Sequence, residues 1–155
     1  MLNFDFHLIE SPMDQLSYEE RAKPGNFMAL DANLKIKYNN TIYFDEDIAI
    51  IEFWLQLNDW LNGSSNDEFQ YHTMEVEDEF NPLISISPLG EYYQIHSPWV
   101  ETEIALIDNQ TEMVKRLIML RDDIKEVIER YIQKDISIYE LYTIEKLMKK
   151  IIEVD

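Results

Sequence analysis

Apolar and polar residues alternate one by one at the start of the chain, with Leu2, Phe4, Phe6 and Leu8 set against Asn3, Asp5 and His7. A period of two is the pattern of a strand with one face on a core. Ser11-Pro12 ends it, and Ser11 as cap with Pro12 at the first helical position predicts a short helix over 13–23. Pro24-Gly25-Asn26 then reads as a turn. Alternation returns at Leu34, Ile36 and Tyr38, pauses at Asn39-Asn40 and resumes at Ile42 and Phe44, so 33–44 is expected to be a β-hairpin.

The period then changes to that of a helix. Ile50, Trp54, Leu57 and Leu61 recur at helical spacing, and Ile51 and Leu55 widen the stripe. Asp45 as N-cap, Glu46 and Asp47 in the first turn and Gly63 past the end predict a helix over 46–62. Three or four strands are expected next, at roughly 68–77, 83–87, 91–97 and 99–106, parted by Asn81-Pro82, Pro88-Leu89-Gly90 and Ser97-Pro98. Such spacing predicts an antiparallel meander. Asp108 is the expected cap of a helix over 109–132, whose apolar face is read as Val114, Leu117, Ile118, Arg121, Ile124, Ile128 and Tyr131. The capping-box pattern at Ser137 and Glu140 predicts a break near 134–137 and a last helix reaching about 152.

A hairpin, a helix, a meander and further helices in that order call for an α+β fold. An antiparallel sheet carries two or three helices mainly on one face, because hairpin-linked strands need no crossover. The length of 155 residues and the lack of a long linker point to a single domain spanning 1–155.

Charge is distributed very unevenly over this pattern. Between Lys37 and Lys115 there is no lysine or arginine, yet sixteen Asp and Glu residues occur there. The segments 1–37, 38–114 and 115–155 carry −2, −16 and 0, so the central block accounts for almost all of the net −18. A hydrophobic fraction of 46% and an aromatic fraction of 12% exclude an acidic disordered tail. Trp54, Trp60 and Trp99 all lie in the block, which should therefore fold with its carboxylates outside an aromatic-rich core, with Phe53, Trp54 and Trp60 of the central helix read as core. Such self-repulsion weakens a compact state, and its natural uses are solubility, steering or a basic partner.

Chemistry is excluded more readily than assigned. The chain has no cysteine, which removes disulfides, thiolate metal sites and thiol nucleophiles. Three glycines supply no phosphate-binding loop, nucleophile elbow or dinucleotide fingerprint. Nucleic acid is disfavoured as a direct ligand because the acidic block repels phosphate. No basic, apolar leader opens the sequence and no apolar run is long enough for a membrane span, so a cytoplasmic protein is expected. His7, His72 and His96 lack zinc-ligand spacing, although His72 and His96 fall on strands that the meander can make neighbours.

Glu75, Glu77, Asp78 and Glu79 form the densest acidic cluster, without the glycine and ligand spacing of a calcium loop. They read as the charged set of a partner-binding edge, with no metal and no other cofactor. Tyr92 and Tyr93 are adjacent on a strand and must face opposite ways, so one of them is the candidate anchor beside that edge.

In general form the chain resembles the small immunity proteins that bacteria encode beside polymorphic toxins. The resemblance lies in a cysteine-free domain of this length, a Phe-x-Phe first strand, the segment Phe53-Trp-Leu-Gln-Leu-Asn-Asp-Trp-Leu61 ahead of a strand meander, and a helical end. It implies inhibition by binding rather than catalysis, with a basic nuclease-type toxin as partner, and it transfers no individual residue. The alternatives are a non-catalytic adaptor or assembly domain kept soluble by its charge, and a small metal-dependent hydrolase using clustered carboxylates.

Overall fold

A computed structural model describes residues 2–63, 67–73, 82–100 and 106–136. Strand β1, Leu2–Leu8, pairs antiparallel with β2, Asp31–Tyr38, which pairs antiparallel with β3, Thr41–Ala49. Asn39 and Asn40 close the β2–β3 hairpin with φ of 48° and 70°. Two successive left-handed residues make the tight turn whose twist matches that of paired strands, and Asn tolerates that region better than most side chains.

The stretch between β1 and β2 is more broken than one helix over 13–23. Ser11 caps a 3-10 turn, Pro12–Gln15, by a capping box with Asp14. Ser17 caps a separate short helix α1, Tyr18–Arg21. The expected turn at Pro24 is instead the start of helix α2, Pro24–Met28, where proline at the first position loses no intrahelical bond. Phe27 and Met28 on α2 are buried.

Helix α3, Ile50–Asn62, begins four residues later than the sequence pattern predicts, and Asp45 is not its cap. Pairing decides the matter. Asp45 stands opposite Lys35 and Asp47 opposite Asn33, and Asn33 Nδ2 donates to both carboxylates at 2.8 and 3.2 Å. Phe44 and Ile48 are buried meanwhile, so a period-two pattern holds the strand to Ala49. The cap position falls on Ala49, which offers no side-chain bond, while the Ile50 N–H reaches back to the Leu30 carbonyl at 3.2 Å.

The meander forms a second sheet, separate from the hairpin. Its order is β4, Phe69–Tyr71; β5, Ile84–Leu89; β6, Tyr92–His96; and β7, Leu106–Asn109, all antiparallel. Strand β5 runs through Pro88 and Leu89, so only Gly90 and Glu91 remain as the turn, with Gly90 at φ +62°. Expected strand positions 74–77 and 101–105 lie outside the described residues, as do the predicted helix over 137–152 and its capping box. Trp99 and Val100 are not in a strand, and Trp99 is exposed on a turn rather than part of the expected aromatic core.

Helix α4, Gln110–Ile132, is capped by Asn109, whose Oδ1 accepts the N–H groups of Thr111 and Glu112; Asp108 accepts the Asn109 N–H from within β7. The buried stripe is Met113, Leu117, Leu120, Ile124, Ile128 and Ile132, rotated from the predicted face so that Ile118 is exposed. Gln133 in the left-handed region ends the helix, in agreement with the predicted break. Helix α3 lies against α4, β4, β2 and β3, while α4 also touches β1, β6 and β7. One buried cluster therefore draws on both sheets and both long helices. The Trp54 indole sits at its centre, wholly buried, and donates to the Arg121 carbonyl at 3.1 Å. Tyr43 and Tyr71 stitch the two sheets by donating to the carbonyls of Ile95 and Ala49 at 3.3 and 3.4 Å.

Candidate binding site

An open cleft of about 480 Å³ lies where the end of α3 meets β4, the edge strand of the second sheet. Its walls include Asp59 and Trp60 from α3, Asp67, Glu68 and Gln70 from the segment entering and forming β4, and His72 just beyond it. The aromatic floor is built by packing. Trp60 meets Phe69 at 5.6 Å and Tyr93 at 5.8 Å, and Phe53 stands edge-on to Phe69 and Tyr71. The Trp60 indole donates to the Asp67 carbonyl at 2.9 Å, which fixes the segment carrying two of the acids. Gln56 brackets the far side, donating to the His72 carbonyl at 2.8 Å and accepting its N–H at 2.9 Å. Below it, the buried Glu52 accepts the Thr73 hydroxyl at 2.9 Å.

Electrostatically the cleft has one sign. Asp59, Asp67 and Glu68 line it, and among the described residues no lysine or arginine does. Asp59 also sits in the last turn of α3, where the backbone carbonyls already form the negative end of the helix dipole and the turn itself carries no basic residue, although Arg121 of α4 reaches the Asn62 side chain at 3.4 Å. Glu68 is held in place rather than left loose: the Ser87 hydroxyl donates to one oxygen at 2.9 Å and the Gln70 amide to the other at 3.3 Å. An aromatic floor under carboxylates suits a lysine or arginine side chain, whose stem packs on the ring while its head meets the acids.

The sequence-predicted site divides sharply. Glu75, Glu77, Asp78 and Glu79 lie outside the described residues. Tyr92 is 48% exposed, whereas Tyr93 is 2% exposed and packs on Trp60. Burial pushes the Tyr93 hydroxyl pKa up. Tyr92 is therefore the available anchor and Tyr93 belongs to the core. His72 and His96 are not on adjacent strands, since β5 separates β4 from β6; His7 faces out beside Asn33 on the other sheet. Among the described residues, no three His, Asp or Glu side chains converge as metal ligands. Asp59, Asp67 and Glu68 were absent from the sequence-derived site. Their signal was an uncompensated acid in the last turn of a helix, followed by an acidic pair at the entry to a strand.

These features define an α+β domain of two antiparallel sheets with an acidic cleft at one sheet edge. The chain belongs to the family described as a domain of unknown function (DUF7878), whose model matches residues 4–130. No curated protein and no solved structure matches it. No helix among the described residues is long and apolar enough to cross a membrane.

Proposed function

We propose that this domain is a stoichiometric binding protein for a basic protein, of the immunity kind that neutralises a nuclease-type bacterial toxin by covering its active site in the cytoplasm. The observation that carries the proposal is the cleft: three carboxylates over an aromatic floor, with no lysine or arginine among its described walls. A nuclease must hold phosphate with lysine and arginine. A display of carboxylates competes for those same groups, and it does so without any chemistry of its own. The acidic block adds long-range attraction, which raises association rates by roughly 10–1,000-fold at low ionic strength. Fast capture is what a lethal partner demands, and packing of aromatic side chains then slows release.

The test uses the product of the reading frame beside this gene. Its nuclease activity should fall to background at one equivalent of this chain, and the association rate should drop as salt is added. Undiminished nuclease activity with excess chain, or a partner that binds equally fast at all salt concentrations, contradicts the proposal.

A further inference from the structure

The outer face of the second sheet is uncharged over its open end. The register sets Leu89, Tyr92 and Asn109 in one row and Ser87, Gln94 and Ile107 in the next. None of these six bears a charge, in a chain whose net charge is −18. Leu89, Tyr92 and Ile107 are exposed by 49, 48 and 44%. They lie together at the turn end of β5, β6 and β7, as three large apolar side chains among hydroxyl and amide groups.

Among the described residues this face is bordered by acids at its turn end and on the cleft side, while Arg116 of α4 lies 3.9 Å from Asp108, a β7 residue that alternates onto the opposite face. Every residue of the sheet and of the cleft comes from the 38–114 block, which contains no lysine or arginine. Exposed Glu91 closes one end of the face, and on the cleft side the Ser87 hydroxyl is bonded to Glu68. Face and cleft thus share an edge. An uncharged centre holding an aromatic anchor, inside a charged rim, is the anatomy of a protein–protein interface.

We infer that this sheet face is the main docking surface for the basic partner of the preceding section, with Tyr92 as anchor and the cleft carboxylates as rim. The inference rests on that reading and adds where the partner sits and how the work divides. Charge complementarity selects a cation-rimmed partner over a second copy of this chain, which brings an acidic border of its own. Tyr92, Leu89 and Ile107 then govern dissociation, and Asp59, Asp67 and Glu68 govern association.

The experiment measures binding kinetics of the neighbouring gene's product against wild type, Tyr92→Ala, Ile107→Ser, Tyr92→Phe and the pair Asp67→Asn/Glu68→Gln, each first matched to wild type by circular dichroism. Tyr92→Ala and Ile107→Ser should each speed dissociation at least tenfold with association nearly unchanged, and Tyr92→Phe should keep most of the affinity. The acid pair should slow association and flatten its salt dependence. Binding that is indifferent to Tyr92→Ala and Ile107→Ser overturns the assignment of this face while leaving the binding proposal intact. A neighbouring product that does not bind at all overturns both. Sedimentation of the chain alone supplies the remaining outcome: a dimer that Tyr92→Ala disperses shows the face to be covered by a second copy and overturns the inference.

Discussion

The Tyr131 hydroxyl donates to Asp14 Oδ1 at 2.6 Å, joining the last turns of α4 to the 3-10 turn near the start of the chain. Arg21 completes the joint. Its guanidinium donates to the carbonyls of Asp14, Leu16 and Tyr131 and stacks against the rings of Tyr18 and Tyr131 at 5.0 and 4.4 Å. An arginine is suited to this because its planar fork serves several acceptors while its face packs on an aromatic ring.

This joint should make stability fall at both ends of the pH scale. The Tyr131 bond, followed by the Ser11 N–H, holds the Asp14 carboxyl below its ordinary pKa. A depressed carboxyl contributes stability above its unfolded pKa, and the contribution is lost as pH falls through the folded value. Tyr131 is pushed up to about 12, first by burial and then by its bond to Asp14. The unfolded phenol ionises near ~10, so its contribution is lost as pH rises from there toward the folded value. Tyr131→Phe keeps the ring on Arg21 and should lower the melting temperature at neutral pH while shallowing the decline in acid. Parallel melting curves against pH for wild type and Tyr131→Phe between pH 3 and 7 would remove Asp14 from this account.

Trp54 offers a test of the core. Its indole is fully buried between the long helices and its N–H has the Arg121 carbonyl as acceptor. Trp54→Phe removes a second bond from a carbonyl that also serves the α4 ladder, and this loss should cost about 0.5–1.5 kcal/mol. Trp54→Ala opens a cavity as well and should cost about 3–5 kcal/mol. Urea titrations followed by far-ultraviolet circular dichroism measure both, and equal midpoints for the two variants would mean that the site collapses around the loss.

The Asn39-Asn40 turn makes a prediction of opposite sign. Both residues occupy the left-handed region, with Asn40 at φ 70°. Asn40→Gly produces the pairing this turn type favours most and should hold or raise the melting temperature. Asn40→Val puts a β-branched side chain into a conformation that costs roughly 1–2 kcal/mol for an ordinary L residue. A valine variant as stable as wild type would show that the turn relaxes to another type.

Periodicity and turn chemistry made much of this fold legible in advance. The hairpin, its Asn-Asn turn and the body of α4 follow from residues near one another in sequence. What local pattern missed was settled by distant partners. Asp45 and Asp47 look like a helix start until Lys35 and Asn33 come opposite them. The stripe of α4 turned toward Met113 and Leu120 because two sheets, rather than one, press on that helix. The site was less legible for the same reason: the cleft joins the end of α3 to an edge strand, and no spacing rule links Asp59 to Glu68. Tyr92 and Tyr93 were known to face opposite ways, but which one faced the core depended on where Trp60 lay.

Asp59 separates stability from binding at a single position. Its carboxylate is exposed in the last turn of α3, against the negative end of the helix and beside Asp67 and Glu68 in the cleft. A lysine there complements the dipole, and such a charge near a helix terminus is worth about 0.3–1 kcal/mol. Removing one like charge from the acidic group acts in the same direction. The backbone bond from the Gly63 N–H to the Asp59 carbonyl is independent of the side chain and should survive. Asp59→Lys is therefore expected to raise the denaturation midpoint while slowing association with the basic partner and weakening the salt dependence of that rate. Asp59→Asn should fall between wild type and lysine on both axes. Most surface substitutions move stability little and carry no sign in advance, so a gain here is informative. Should Asp59→Lys destabilise the fold, the carboxylate supports the helix end in a way the dipole argument omits. Should it stabilise the fold yet leave association untouched, the cleft lies outside the partner's reach.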